Sequence, residues 1–449
     1  MKNRTAILSA IASKNIVIWG ARMTGLGAFR RARSRNINVV GFIDSDIAFI
    51  GKKVCGLPVI HPQELENFLP TIDNCVILVA VALKEDEIFS QLSKQGMSNI
   101  PVYSFQDQDS PYYTIDILSS CNLKCPSCPH SIQEHNVPRG SMTLETFKKV
   151  FDKAIKESDM THLSLYSWGE PFLHPHLDEI IKYVHSYNVA VALSSNLSIK
   201  FENRIEKVIS TSPDYLKVSL SGFYPKAYEN THTGGNINLV KSNLYRLRYL
   251  MDRYKSNTLV DINYHLYRDN SGENLEKIED LAKELDFIVS KTYALVMPLE
   301  RVMSHLEGNP DKQTQDLQKN LLVTIDEGIE AASKEPLPKN TCPFRENQIN
   351  INADLSVPIC CTVFHREGNI VAPNFLEATT QEINEAKKKN KLCSQCMKLR
   401  LPEYNLGFNR KEWDSYAQQK SIIDVGLGST SPPDVKKEKK RLEMINEFI

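Results

Sequence analysis

The run Tyr112–His130, YYTIDILSSCNLKCPSCPH, decides how this chain is read. An apolar, strand-like stretch from Tyr113 to Ser119 leads directly into three cysteines, Cys121, Cys125 and Cys128, within eight residues. Three thiolates so spaced can hold three corners of a cubane iron–sulfur cluster and leave one iron without a protein ligand. A structural metal site uses all its ligands, whereas a catalytic one keeps a position open. The alternative is a zinc knuckle, for which His130 is the one adjacent candidate for a fourth ligand.

Downstream, the pattern is a long βα repeat. Strands are expected in YYTIDIL, HLSLYS, VAVALSS, YLKVSLS, LVDINYHL and VSKTYALV, with helices between them such as LETFKKVFDKAIKE and NLEKIEDLAKEL. Six such units from Tyr112 to about Leu299 suggest a partial (β/α)6 barrel. In βα barrels the ligand-binding residues sit at the C-terminal ends of strands. The cysteines follow the first strand, Gly169-Glu170-Pro171 the second, Ser195-Asn196 end the third, and Ser219 and Ser221 end the fourth. By itself a Gly-Glu-Pro triplet reads as a helix-starting turn, because proline suits the first helical position.

Upstream, Asn15 to about Phe105 alternates strands (IVIWG, NVVGFID, NCVILVAVA) with helical patterns, which implies a parallel, Rossmann-like sheet. A dinucleotide loop wants G-x-G-x-x-G; here the positions are Gly20, Arg22 and Gly25, so the glycine that lets backbone approach a pyrophosphate has become arginine. Asp44 ends the second strand, where an acid could meet a ribose. Two readings stay open: a nucleotide or sugar-nucleotide pocket with Arg22 facing phosphate, or a docking module. Cys55 and Cys75 lack partners at metal spacing and read as small buried residues.

The chain has 449 residues with 54 basic and 54 acidic side chains, which predicts two or three domains and gives no sign of a nucleic-acid or anionic-membrane partner. No apolar run approaches bilayer length. The start, MKNRTAILSAIASK, runs straight into a strand and so reads as a first amphipathic helix. Most of the ten cysteines fall in ligand-type spacings, and oxygen-labile centres belong in a reducing cytosol, so a cytoplasmic protein is expected.

C-x3-C-x2-C followed by Gly-Glu-Pro resembles the radical S-adenosylmethionine (SAM) superfamily. The resemblance implies a 4Fe-4S cluster on Cys121, Cys125 and Cys128 whose open iron chelates SAM, a 5′-deoxyadenosyl radical, and an external electron donor such as flavodoxin or ferredoxin. It places Gly169 and Glu170 at the SAM ammonium and Ser195 and Asn196 at its ribose or carboxylate. Ser219 stands where relatives read S-x-D-G, the aspartate being Ser221 here. Ser127 departs from the bulky residue usual before the third cysteine, so adenine packing comes from elsewhere. The segment Thr231–Asn236, THTGGN, resembles a GGN-type segment of the SPASM and Twitch branch.

After a helical connector (Lys312–Lys334), Cys342, Cys360, Cys393 and Cys396 resemble a Twitch domain, which implies one auxiliary 4Fe-4S cluster; zinc suits four thiolates equally. The stretch ININ-ADLS-VPIC reads as a hairpin, and Cys361 as a spare beside Cys360. The first ninety or so residues resemble Rossmann-like domains appended to sugar-modifying enzymes. The expected fold is therefore α/β: a partial (β/α)6 TIM-type barrel with an N-terminal Rossmann-like domain and a small C-terminal Twitch domain of β-hairpin plus helix. The expected boundaries are 1–108, 109–310, 311–400 and a polar tail over 401–449. The expected activity is oxidation of a carbohydrate or cyclitol alcohol, a small sugar-like substrate, with the auxiliary cluster as electron acceptor. The rivals are a peptide maturase and a non-catalytic iron–sulfur scaffold. His265, Tyr264, Arg268 and Tyr293 are candidates for barrel-interior substrate contacts, with a satisfied core or surface position as the alternative for each.

Overall fold

The computed structural model describes residues 4–81, 85–97, 99–105, 110–131, 140–200, 202–334 and 341–420. The first sheet uses β1 (Asn15–Trp19), β2 (Asn38–Ile43), β3 (Lys53–Val54), β4 (Leu57–Ile60), β5 (Cys75–Val79) and β6 (Val102–Ser104), in the order β3-β4-β2-β1-β5-β6. All its pairs are parallel except β3 with β4. The near-continuous apolar runs of β1 and β5 follow from burial on both faces, as parallel sheets require. The opening segment is helical over Arg4–Ala10 and buries Ile7 and Leu8.

The second sheet uses β7 (Tyr112–Ile115), β8 (His162–Ser164), β9 (Ala190–Ser195), β10 (Tyr215–Ser219), β11 (Leu259–Leu266), β12 (Ile288–Tyr293) and β13 (Gln348–Ile351). Their order is β12-β11-β10-β9-β8-β7-β13, every neighbour parallel, which is the barrel-like core expected from the βα repeat. Helix Leu144–Glu157 shows why the repeat folds this way. The Thr143 hydroxyl accepts from the Thr146 N–H, and Phe147, Val150, Phe151 and Ala154 fall on one buried face at helical spacing. Each large side chain so buried contributes roughly 1.5–3 kcal/mol.

Two expectations for the C-terminal region need correction. The stretch ININ is not one arm of a hairpin with VPIC; it is β13, a seventh barrel strand on the open edge of β7. The antiparallel pair is instead β14 (Val357–Pro358) with β15 (Ile370–Ala372). Ile349 and Ile351 are buried, so the edge of β7 offers this segment both backbone partners and a core to pack in. The polar tail does not begin at residue 401. Helices Leu401–Leu406 and Arg410–Lys420 bury Leu401, Tyr404, Trp413 and Ala417 in the main core, and the remainder of the expected tail lies outside the described residues. The connector is two helices, Lys312–Asn320 and Ile325–Ser333, the second started by a Thr324–Glu327 capping box.

The first sheet closes the floor of the barrel. Ala190, Ala192, Tyr215, Leu259 and Ile288, all near the N-terminal ends of β9 to β12, share one apolar cluster with Ile18, Leu26, Ala28 and Phe42. Helix Met23–Arg33 lies against this floor, and a Cβ on Gly27 would stand 2.7 Å from the Thr161 carbonyl oxygen. Only glycine permits that approach. Around the rim, Arg30 Nε donates to Asp214 at 2.9 Å and Arg31 pairs with Asp159 at 2.8 Å.

Arg22 belongs to the same joint. Its guanidinium donates to Asp46 at 2.6 Å, to Ser290 at 3.1 Å and to Asp261 at 3.4 Å, and it lies over the Phe49 ring. Arg22 therefore takes part in the docking joint through Nε and Nη2, and it also lines the cleft beside it, so the joint does not remove it from that pocket. A cleft of about 460 Å³ remains at the ends of β1 and β5, lined by Gly20, Thr24, Asp44 and Tyr215 among others. Asp44 does not stand free there, since it accepts from the Ala21 N–H at 3.0 Å and the Asp46 N–H at 3.0 Å. Cys55 and Cys75 are half-buried, and burial pushes their thiols up to about 12 and about 11.

Candidate active site

The exits of β7, β8 and β9 are tied together on the opposite end of the barrel from the first sheet. Asp116, just past β7, is buried and accepts backbone N–H groups from Gly169, Trp168 and Ser167; burial pushes its carboxyl up to about 7 against those bonds. A Cβ on Gly169 would stand 1.5 Å from the Leu118 carbonyl oxygen, so the Gly-Glu-Pro loop can lie on the cysteine strand only because that residue is glycine. The Glu170 N–H then donates to the Ser120 carbonyl at 2.9 Å.

Glu170 is 2% exposed. Its carboxylate accepts from the Phe172 N–H at 3.1 Å, which starts the short Pro171–Leu173 turn, and from the Asn196 N–H at 2.8 Å. Burial drives this carboxyl up to about 7, with bonds from Asn196, Ser195 and Phe172 pulling the other way. Asn196 in turn donates from Nδ2 to Asn122 Oδ1 at 3.0 Å and to Cys121 Sγ at 3.7 Å. Cys121, Asn196, Ser195 and Glu170 are thus one connected group. Gly169 adjoins it, and Ser219 ends β10, half-buried, two strands away. The Thr231–Asn236 segment buttresses this group: the Lys124 N–H donates to the Thr233 carbonyl at 2.9 Å and the Asn236 N–H to Ser198 at 3.0 Å. Ser221 is fully buried and accepts from the His265 N–H at 3.0 Å, a structural task.

Burial holds the three loop thiols in their protonated form, pushing Cys121 up to about 12, Cys125 higher still and Cys128 to about 11. Charge on Cys128 or Cys121 would raise Cys125 further, so the three are near neighbours. Thiols in this setting ionise together only beside a strong positive charge, so metal loading would release protons. The ring of His130 packs edge-on to Phe364 and lines a separate small pocket with Trp168 and Asp116. Sequence reasoning missed Arg301, 4% exposed, which donates from Nη1 to the Pro126 carbonyl at 2.8 Å and from Nε to Thr314 at 2.8 Å. It pins the cysteine loop from helix Leu299–Leu306. It also missed Tyr267, whose hydroxyl meets Ser127. No local pattern marks either residue.

Of the barrel-interior candidates, His265 alone lies on the inner face. Parallel register sets Lys217 beside Asp261, and Asn263 beside Ser219 and Ser290; His265 follows two residues on and meets Asn263 Nδ2 at 3.1 Å. Burial pulls its imidazole down to about 3, helped by Lys217 and His232. Strand alternation puts Tyr264 and Tyr293 on the other face, in the core under the helices. Their hydroxyls donate to the Asn270 carbonyl at 2.7 Å and to Asp414 at 2.7 Å. Arg268 donates to the Leu321 carbonyl at 3.1 Å. Lys217, on the inner face of β10, carried no signal in sequence.

A second cysteine group forms in the C-terminal region. Cys342, Cys360, Cys393 and Cys396 line one pocket with Leu299, Phe344 and Met397, and Cys361 is not part of its lining. Cys393 and Cys396 share one face of helix Lys391–Lys398, which Asn390 caps by accepting from the Cys393 N–H at 3.2 Å. Cys360 follows β14, and a hydrogen bond from Cys361 lowers its thiol to about 6. Lys387, on helix Thr380–Lys389, is buried, and burial lowers its ammonium to about 8 while charge on Cys360, Cys361, Cys342 or Cys393 would raise it. Among the described residues no three His, Cys, Asp or Glu gather closely enough to hold a single metal ion. A four-iron cube asks for a different spacing, one thiolate at each separate iron. Both donor sets are all-thiol and suit such a cube.

The sequence model of the Radical SAM superfamily matches residues 115–285. The chain is similar to an AdoMet-dependent heme synthase of Methanosarcina barkeri, 26% identical over 185 residues, 40% of this chain and 49% of that protein. It is similar to a probable GTP 3′,8-cyclase of Methanococcus maripaludis, 29% identical over 133 residues, 29% of this chain and 43% of that one. These matches span about half or less of the relatives' own length. Among solved structures, native anSMEcpe with bound AdoMet is 17% identical, covering 69% of this chain and 97% of that one with a TM-score of 0.44. BtrN in complex with AdoMet and 2-DOIA is 16% identical, covering 67% and 91%, with a TM-score of 0.36. Among the described residues no helix is long and apolar enough to cross a membrane.

Proposed function

The chain carries a domain of the Radical SAM superfamily over residues 115–285, and on that premise we propose that it oxidises an alcohol of a carbohydrate or cyclitol by hydrogen-atom abstraction. In this reading Cys121, Cys125 and Cys128 hold the 4Fe-4S cluster, and Cys342, Cys360, Cys393 and Cys396 an auxiliary one. When bound, the first cluster and SAM together supply a 5′-deoxyadenosyl radical, and the second an electron acceptor.

The residues of the chain do the positioning. Gly169 offers a backbone carbonyl and Glu170 a carboxylate to the SAM ammonium, and Ser195, Asn196 and Ser219 offer donors and acceptors to its ribose and carboxylate. The hydrogen-bonded run from Cys121 through Asn196 to Glu170 carries this assignment, because it keeps a buried carboxylate beside the cysteine loop with two backbone N–H partners already in place. The polar inner face formed by Lys217, Ser219, Asn263 and His265 supports a hydroxylated substrate; a neutral imidazole there can hydrogen-bond alcohol groups. Turning a carbinol into a ketone removes a hydrogen atom from carbon, a proton from the hydroxyl and one electron. The open cluster needs an external donor such as flavodoxin or ferredoxin, and oxygen-labile centres favour a cytoplasmic setting.

The test is anaerobic turnover of reconstituted protein with SAM, dithionite and polyols deuterated at the carbinol carbon. Deuterium in 5′-deoxyadenosine together with a ketone product is the expected result. Absence of 5′-deoxyadenosine overturns the enzyme assignment, and a modified peptide in place of a ketone overturns the substrate class.

A further inference from the structure

Side chains of β10 alternate between two faces. Tyr215 joins the apolar floor, Leu216 and Val218 pack in the core under the helices, and Lys217 between them faces the barrel interior. Lys217 is half-buried, and among the described residues no carboxylate forms an ion pair with it. Its register neighbour Asp261 is turned to the floor instead. Asp261 Oδ2 accepts from Tyr215 at 2.6 Å, from Ser290 at 2.8 Å and from Arg22 at 3.4 Å, while Oδ1 is buried with no hydrogen-bond partner. Further along the same face stand His265 and, beside it on β12, Thr292, whose hydroxyl is buried and also unpartnered. This stretch of wall thus holds a cation without a counter-charge, a hydroxyl without a partner and a neutral imidazole. A buried polar group left unpaired is costly, and such groups call for a ligand that completes them.

We propose that Lys217 binds an acidic group of the substrate, a carboxylate or a phosphate, so that the chain acts on an anionic polyol, with Thr292 and His265 facing its hydroxyls. This rests on the carbohydrate or cyclitol reading and names the class within it. An ammonium and an anion attract far more strongly inside a barrel than in water, and a charge-assisted hydrogen bond fixes one end of the molecule. Arg22 meets the charge of Asp261 from below, so that carboxylate does not turn the anion away. Because the acid is remote from the reacting carbon, its contribution falls on KM rather than on kcat.

The experiment uses the full-length reconstituted chain with SAM, dithionite and matched polyols: glucose, glucuronate, methyl glucuronate ester and glucose 6-phosphate, then myo-inositol and its 1-phosphate. Formation of 5′-deoxyadenosine above the substrate-free rate is followed, and KM is read for each. An acidic member is expected to be preferred over its neutral counterpart. Lys217→Met should raise KM for that member by about tenfold to a hundredfold, closing the gap to the neutral one, and Lys217→Arg should keep most of the preference. Lys217→Gln replaces the methionine variant if melting or iron content shows that it has not folded. Glucuronate against glucose 6-phosphate separates carboxylate from phosphate. Equal use of neutral and acidic members by the parent overturns the proposal, and so does an acid preference that survives loss of the Lys217 charge. If no polyol of either kind raises 5′-deoxyadenosine, the carbohydrate reading itself falls, and this inference with it.

Discussion

Cys121, Cys125 and Cys128 sit on one loop above the barrel, tied to neighbouring strand exits through Asn196, Glu170 and the Arg301 clamp. Cys342, Cys360, Cys393 and Cys396 come instead from three separate segments and converge on one pocket. The first group has three cysteines beside the buried Glu170 and Asn196, while the second brings four cysteines together from distant segments. The difference teaches that an open site is recognised by what its neighbours could offer a ligand, and a closed one by how completely its own side chains satisfy it.

Removing the open set should have the largest effect. Alanine at Cys121, Cys125 or Cys128 is expected to bring 5′-deoxyadenosine formation to background while about one cluster's worth of iron remains. Retained cleavage would dissolve the contrast. Serine at Cys393 or Cys396 should lower iron by about one cluster and leave SAM cleavage measurable, uncoupled from ketone formation; iron analysis and a cleavage assay check this together. Zinc at full occupancy would make the second site structural.

Glu170→Gln should divide binding from stability. Loss of a charge-assisted partner is expected to weaken SAM binding by about 1.5–3 kcal/mol, readable by equilibrium binding. Because burial raises this carboxyl from 4.5 to about 7, the folded state prefers it protonated. Its contribution is present below 4.5 and is lost as pH climbs through 7. The amide does not titrate, so the fall in stability between pH 4.5 and 7 should flatten, while its NH2 faces one of the Phe172 and Asn196 N–H donors and lowers stability at acid pH. Thermal melts at several pH values decide it. The smallest change should come from Cys361→Ser, whose side chain does not line the pocket. Iron content should match the parent, and a loss of one cluster would show Cys361, not Cys360, to be the ligand.

Much of this molecule is legible in its sequence. The six barrel strands follow from apolar segments separated by helical periodicity, and the three loop cysteines from their spacing, both local properties. The errors share one cause. Gln348–Ile351 looks like half a hairpin because β-propensity does not say which edge will receive a strand, and here the edge is β7, more than two hundred residues away in sequence. Of the two readings open for Tyr264 and Tyr293, substrate contact or core residue, strand phase selects the core, because one residue of phase moves a side chain to the other face. Trp413 and Tyr404 sit in a charge-rich stretch that composition alone marks as solvated.

What the sequence determined by itself was the chemistry available: thiols in two sets, a carboxylate after the second strand, and strand–helix alternation sufficient for two parallel sheets. Each depends on neighbours a few residues apart. Tertiary structure alone decided where those groups meet. It seats the first sheet on the barrel floor through Gly27 and Arg22, clamps the cysteine loop with Arg301, and gathers four cysteines from three segments into one pocket. Those outcomes depend on packing and on buried charges finding partners, and no stretch of chain carries the identity of a partner that lies hundreds of residues away.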